Sequence, residues 1–426
     1  MTTPVVREGV SPGVSRSGTA ETRAGRFTGT RAGRFGGAGK GDSPDVLSSF
    51  PVPHRGTARA GDARRVLLIS ASMGAGHDTV ARELARRARE QGHEAETVDL
   101  MRLLPYGMGS GLRTFYRTSV RHAPWVYDGL YRAFLRPGDG ARPSGVPLAR
   151  FAGEGLVRLV ADTGADVVVP VFHLAAQLTG HLRTQGRLRV PSGVFVLDFA
   201  VHRQWLHPGN DAYFCLTDQA ADDVRRSVPA HVETTGPVVA PEFFAPAAPA
   251  PGAADWRDRF ERYAPGRPPV LLSAGAWGAA AGLGETARLL AGAGYLPVVL
   301  CGRNQALRSR TARVPGALAL DWVDDMPGLL HAVRALVDNA AGQTAVQALA
   351  AGLPVVGHRP LPGHGADGVR RMAELGLSEA AADGPSLLRI LHRLTTETPA
   401  ERPGAGPPLF RADVLARAAA LAHRPA

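Results

Sequence analysis

The sequence predicts an α/β protein built from two Rossmann-like, doubly wound parallel-sheet domains that face each other across a cleft. Three observations carry that expectation. The run Arg65–Ser70 (RVLLIS) is short, apolar and branched, and leads through a glycine-containing turn into a helical stretch from about Thr79 to Gln91 and a second strand at Glu94–Val98, ending at Asp99. The same grammar restarts at Pro269–Gly275 (PVLLSAG). Between the two series, Pro237, Pro241, Pro246, Pro249 and Pro251 punctuate an alanine-rich stretch with the composition of an interdomain linker.

Taken in order, residues 1–62 are rich in Gly, Arg, Ser, Thr and Pro, and repeat TRAGRF at Thr22–Phe27 and Thr30–Phe35. Such a segment buries too little to offset its ordering entropy, so a disordered tail is expected, more readily an inert one than an anion-binding arm. The first domain is expected over 63–240, with further strands at Asp166–Val171, Gly193–Leu197, Ala212–Leu216 and Val232–Thr235. A linker at 241–254 precedes the second domain, 255–405, with strands near Leu296–Leu300, Ala317–Leu320, Ala335–Asp338 and Pro354–Gly357. Residues 406–426 are expected to form a helix packing back on the first domain. In sheets of this kind ligands bind beyond the carboxyl ends of the strands, and two in tandem bring two substrates together.

Composition narrows the chemistry. The 426 residues suffice for two domains, and 44% hydrophobic residues give each a core. The net charge of +11 points to anionic partners. The only lysine, Lys40, lies in the tail. A phosphate-cradling P-loop and a pyridoxal imine both need a lysine, so neither is expected. Cys215 and Cys301 sit in apolar, strand-like contexts and read as buried free thiols. No CxxC pair or HExxH helix occurs, so no metal site is expected. The start lacks a signal-type apolar core, and no run approaches the ~20 apolar residues that span a bilayer. The reading is a cytoplasmic protein, peripheral at the inner face of the plasma membrane.

Four loops carry polar or small residues where strands end. In the first, Ser72–His77, Gly74 and Gly76 are expected to let the backbone turn sharply at a helix N-terminus, whose dipole would keep His77 neutral and proton-accepting. A histidine cap is the plain alternative. In the second, Leu197–Trp205, Asp198 stands at a strand edge with His202 and Trp205 close behind, a set suited to a polar, sugar-like ligand. The third, Asn339–Thr344, runs into a helix through Gln347, with small residues that can close on a diphosphate. The fourth, Pro360–Gly365 with Asp367 beyond, can read hydroxyls or be an ordinary proline-glycine turn. A dinucleotide site competes for the first loop, with Asp99 as its ribose carboxylate, but Thr79 holds the third glycine position and His77 fills the pyrophosphate's space.

The segments VLLISASMGAGH, TFYRTSVRHAPWVYDGLYRAF and VLDFAVHRQWLHPGNDAYFC resemble the amino-terminal half of monogalactosyldiacylglycerol synthases. VVLCGRNQAL, DWVDDMPGLLHA and GQTAVQALAAGLPVV resemble the donor domain of glycosyltransferase family 28, so the likeness runs from about Arg65 to Gly376. It implies a GT-B fold and an inverting hexosyltransferase, with a lipid-like acceptor such as diacylglycerol in the first domain. A UDP-sugar in the second would be co-substrate, with no cofactor and no metal, and the sequence contains no Asp-x-Asp motif. By position, His77 and Asp198 resemble the catalytic pair, with the choice of base between them open. Gly74, Gly76, His202 and Trp205 fall on the acceptor side. Gly275, Trp277, Gly278, Gly302, Asn304, Gly342, Gln343, Thr344, Gln347, Gly363, His364 and Asp367 fall on the donor side. Three features depart from the family pattern. Gln347 stands where a ribose-holding glutamate is usual, Gly275–Ala279 is poorer in glycine, and His364-Gly365 replaces a sugar-reading Gln-Glu pair. These leave the sugar unspecified and keep a non-catalytic glycolipid- or nucleotide-binding relative as the alternative.

Between Met101 and Arg142, Arg102, Arg113, Arg117, Arg121, Arg132, Arg136 and Arg142 interleave with Phe115, Tyr116, Trp125, Tyr127, Tyr131 and Phe134. Basic and aromatic residues together suit an anionic membrane surface, and a solvated helical face over an aromatic core is the plain alternative. Nucleic acid is not an expected partner, and nothing in the sequence sets an oligomeric state.

Overall fold

The computed structural model describes residues 63–135, 144–244, 252–273, 282–396, 409–410 and 413–422, without the side chains of Pro124 and Tyr127. The expected tail, Gly275, Trp277 and Gly278, and Arg136 and Arg142 lie outside these residues.

Twelve strands are present among them: β1 Arg65–Ser70, β2 Glu94–Asp99, β3 Val167–Pro170, β4 Gly193–Val196, β5 Ala212–Cys215 and β6 His231–Thr234 in the first half, then β7 Pro269–Ser273, β8 Leu296–Leu300, β9 Leu318–Leu320, β10 Ala335–Asp338, β11 Val355–His358 and β12 Glu379–Ala381. All paired strands are parallel. The first half has the orders β2-β1-β3 and β4-β5-β6, joined by a parallel bridge from Val168 to Ser192 just ahead of β4. The second has the order β12-β11-β10-β7-β8-β9. The order therefore reverses between β1 and β3 in the first half and between β7 and β10 in the second, and such switch points open a crevice at the carboxyl edge.

Parallel strands covered on both faces need continuous apolar runs, and Val66–Ser70, β3, β4 and β5 are buried at every residue. The first helix, Ala75–Glu90, packs Val80, Ala81, Leu84, Ala85 and Ala88 at helical spacing. It begins four residues ahead of the expected Thr79. Glu83 is buried on it, and Arg86 and Arg87 reach it at 2.8 and 2.7 Å. Burial opposes that charge, but the hydrogen bonds from the two guanidiniums overcome it and leave the carboxyl below its usual range. Arg87 also donates to the Val239 carbonyl at 2.6 Å, tying the helix to the segment between the halves. β12 was not expected, because Glu379–Ala381 lacks an apolar run.

Of the stretch 241–254, Pro241–Phe243 forms a single 3₁₀ turn with Phe243 buried. The helix Val414–Leu421 lies on the first half. Asp413 caps it by accepting from Leu415 N–H, Gln91 donates to the same carboxylate, and Arg417 reaches Glu233 at 3.4 Å. Val414, Leu415, Ala418 and Leu421 join the core cluster that contains Val66, Leu68, Val167 and Val169. A Cβ on Gly193 would stand 2.9 Å from Leu421. Cys215 and Cys301 are buried free thiols, and burial raises both pKa values.

Candidate active site

His77 follows β1 and Val171–His173 follow β3, so the two segments straddle the first switch point. His77 Nδ1 lies 2.8 Å from the Val171 carbonyl. A carbonyl only accepts, so Nδ1 carries the proton and Nε2 keeps its lone pair. Burial holds the His77 pKa below its ordinary value, against the Val171 bond and the charges of Asp198 and Asp78. The imidazole is thus neutral at pH 7 with one nitrogen free to accept.

The glycines before it work differently from the expectation. Gly74 has φ 179°, extended backbone that any residue adopts, and a Cβ there would meet nothing within 4 Å. Gly76 lies inside the helix, and its Cβ would meet Gln343 Cβ at an ordinary 3.5 Å. Neither supplies a strained turn. Gly74 leaves open space at a helix mouth that has no side-chain cap.

Asp198 follows β4. Its Oδ2 accepts from the Trp205 indole N–H at 2.7 Å and faces His202 Nε2 at 3.4 Å. Trp205 is fully buried and His202 nearly so, which corrects their expected role as acceptor contacts: they hold Asp198 from behind. The turn carrying them is fixed by buried Gln177, whose amide donates to the carbonyls of Gln204 and Leu206 at 3.1 and 2.8 Å. His202 Nδ1 is buried without a hydrogen-bond partner, and burial pushes the ring's pKa down to about 4. His173 completes the group, 4.3 Å from the Phe172 ring and edge-on to His202 at 5.0 Å. Its pKa falls well below the ordinary value through burial, then through the charges of His202, His77 and His364.

His364 comes from the second half. Burial lowers its pKa, Asp198 opposes this and His77 adds to it. Charges of the first half thus act on a histidine of the second. Two further contacts close the cleft nearby: Gln343 donates to the Val238 carbonyl at 3.0 Å, and Arg371 reaches Asp223 at 3.4 Å.

Across the cleft the second half presents mostly backbone. Gly302, two residues beyond β8, has φ +57°, and Asn304 caps Gln305–Thr311, accepting from Leu307 N–H at 3.1 Å. Asp338, buried at the end of β10, accepts from Ala340 and Ala341 N–H at 3.0 and 2.6 Å, and burial raises its pKa. This bends the loop until Ala341 takes φ +52°, a left-handed value that costs a non-glycine residue on the order of 1–3 kcal/mol. The bend opens the N-terminus of Gln343–Ala350 at Gly342, again without a side-chain cap and with nothing within 4 Å of a Cβ. Thr344, in that first turn, is half-buried and Gln347 is buried. Asp367 is occupied, by Tyr131 at 2.5 Å and Arg370 at 3.0 Å.

A family model described as Monogalactosyldiacylglycerol (MGDG) synthase matches residues 77–239, a span that opens at His77 and contains Asp198, His202 and Trp205. The processive diacylglycerol beta-glucosyltransferase of Bacillus subtilis (strain 168) is 23% identical over 328 residues, covering 70% of this chain and 78% of its own. The Staphylococcus epidermidis protein of the same name is 22% identical over 346 residues, covering 78% and 85%. Residues 77–239 are thus similar to monogalactosyldiacylglycerol synthases, and the protein is a glycosyltransferase. Its fold is GT-B, as in the sucrose-phosphate synthase of Thermosynechococcus elongatus, which superposes with a TM-score of 0.50 at 12% identity over 79% of this chain and 90% of that one.

Asp99, the carboxylate of the competing dinucleotide reading, is engaged by its own neighbours. It accepts from Ser72 N–H and Oγ at 3.2 and 2.7 Å and from Met101 N–H at 2.9 Å, so the dehydrogenase reading loses its carboxylate. Two expectations for the basic-aromatic region also change. Tyr131 is buried, not interfacial, and Arg113 donates to Ser72 Oγ at 2.9 Å instead of standing free. Phe115 and Trp125 are exposed, as are Tyr106 and Phe151, which were not singled out. His173 was missed. Its signal was available, since a histidine directly after a buried strand stands at the same edge as His77.

Proposed function

We propose that the protein transfers a hexose from a UDP-sugar to the hydroxyl of a lipid-like acceptor, diacylglycerol or a related glycolipid precursor, with inversion and without a metal or other cofactor. The observation that carries this reading is His77, its Nδ1 held by the Val171 carbonyl and its Nε2 left unprotonated, in a helix start whose Gly76 lies against Gln343 at the opposite helix mouth. The acceptor hydroxyl oxygen attacks the anomeric carbon and its proton passes to His77 Nε2. The bond from that carbon to the diphosphate oxygen breaks, and UDP leaves. Asp198 stabilises the imidazolium as it forms, held in place by Trp205. The uncapped amides of Gln343–Ala350 and the Gly302 turn suit the charge that grows on the departing diphosphate.

The acceptor class is supported by the names of the Bacillus and Staphylococcus relatives. Peripheral attachment to an anionic membrane at its inner face fits exposed Phe115 and Trp125 among Arg117, Arg121 and Arg132. Among the described residues no helix is long and apolar enough to cross a membrane. A relative that binds without turnover is the second reading, favoured by Gln347 in place of a carboxylate. UDP release from UDP-glucose and UDP-galactose, measured with diacylglycerol in mixed micelles, separates the two. UDP binding without release supports the second, and absence of both defeats the donor assignment.

A further inference from the structure

The helix His364–Glu374 brings His364 to the cluster, and its first turn is gripped from the opposite half. Tyr131 sits in the π-helical turn Tyr131–Leu135 of the first half and is almost fully buried. Its hydroxyl donates to Asp367 Oδ2 at 2.5 Å, a charge-assisted bond of the stronger kind. Its ring covers Gly363, where a Cβ would lie 2.8 Å from Tyr131 Cγ and where φ is +81°. That position therefore needs glycine for both space and backbone conformation. The tyrosine's own turn is pinned by Gln204, which donates to the Phe134 carbonyl at 2.6 Å and accepts from Gly145 N–H at 2.7 Å. Gln204 stands between His202 and Trp205, the two residues that hold Asp198. A continuous series of contacts thus runs from Asp198 across the cleft to the turn that carries His364.

We propose that Tyr131 is a positioning residue that holds Gly363–Asp367, and with it His364, in register with Asp198 and His77, so that a first-half side chain sets the sugar side of the site. The inference rests on the transferase reading above. Packing alone would need the ring but not the hydroxyl, so the informative variant is Tyr131→Phe, compared with Asp367→Ala and with the two combined. UDP release from UDP-glucose and UDP-galactose in diacylglycerol micelles gives kcat, calorimetry gives UDP affinity, and melting temperatures give the same cycle on stability. Misplacing reacting groups by about 1 Å costs up to about a hundredfold, so Tyr131→Phe is expected to lower kcat by roughly tenfold or more. UDP affinity should be unchanged, and the double variant no worse than Asp367→Ala. A parental kcat in Tyr131→Phe, or losses that multiply in the double variant, overturns the proposal. If the parent binds no UDP, it is the transferase reading that fails. The contact is then judged on melting temperatures, where additive losses overturn it and non-additive losses uphold it.

Discussion

The two halves place different chemistry at equivalent points of similar sheets. At its switch point the first half presents ionisable side chains, His77 and His173, with Asp198 and His202 one strand further on. Each is fixed by a specific partner or by ring packing. The second half presents backbone: a left-handed Gly302, a bent Ala341–Gly342 loop shaped by buried Asp338, and an uncapped helix mouth. In the proposed reaction the proton needs a group that can titrate, whereas a diphosphate can be held by backbone amides that do not. The proposal assigns the two tasks to the two halves on that difference, and His364 is a titratable ring of the second half that feels the charges of the first.

The comparison breaks most sharply at His77. His77→Ala is expected to lower kcat by about 10² to 10⁴ while UDP affinity, which the proposal assigns to the other half, stays unchanged in calorimetry. If Asp198→Asn loses turnover and His77→Ala does not, the base is Asp198. The pH profile bears on the same point. Burial lowers the His77 pKa, so the neutral base persists as pH falls below the ordinary histidine value, and a rate that collapses above it would contradict the assignment.

Stability should carry the mark of His202. Its folded pKa is about 4, against about 6.5 when unfolded. Above 6.5 both states are neutral. Between the two values the unfolded chain binds a proton that the folded one refuses, so stability falls as pH drops, by about 3 kcal/mol from this group by pH 4. Urea unfolding at pH 7 and pH 4.5 should show a smaller drop for His202→Gln than for the parent.

Neutralising Arg117 and Arg121 together should weaken co-sedimentation with anionic liposomes at low salt by roughly thirtyfold, at about 1 kcal/mol for each basic residue. Arg113 is excluded because it serves Ser72. Equal binding by variant and parent would clear this patch of a membrane role. The smallest effect belongs to the second half: Gln347→Glu should tighten UDP binding by up to about tenfold if the side chain turns to the ribose, since charged acceptors bond more strongly. Unchanged affinity would place Gln347 outside the donor site.

Legibility in the sequence followed the same division. Buried parallel strands declare themselves by apolar runs, so β1, β3, β4, β5, β7, β8, β10 and β11 were readable to within a residue or two. Short β12, with a charge and three alanines nearby, carried no such pattern. His77 and Asp198 could be picked out because strand ends in a doubly wound sheet are where chemistry sits. The support behind them could not: whether Trp205 faces a ligand or the back of Asp198 depends on Gln177, 28 positions earlier in the chain, and spacing does not report that contact. Tyr131 misled for a related reason. Its neighbours include exposed aromatics among arginines, whereas Tyr131 itself is buried against Gly363 and Asp367 of the other half.

The helix Val414–Leu421 gives synthesis and assembly different orders. Both sheets have left the ribosome before residues 413–422 emerge, yet Leu421 seats against Gly193, and Val414 and Leu415 belong to the core around β1 and β3. Domains usually fold in the order they are made. Here the half made first keeps an open apolar seam until the helix Val414–Leu421 arrives from beyond the second half, and the later half must fold while its predecessor is still incomplete.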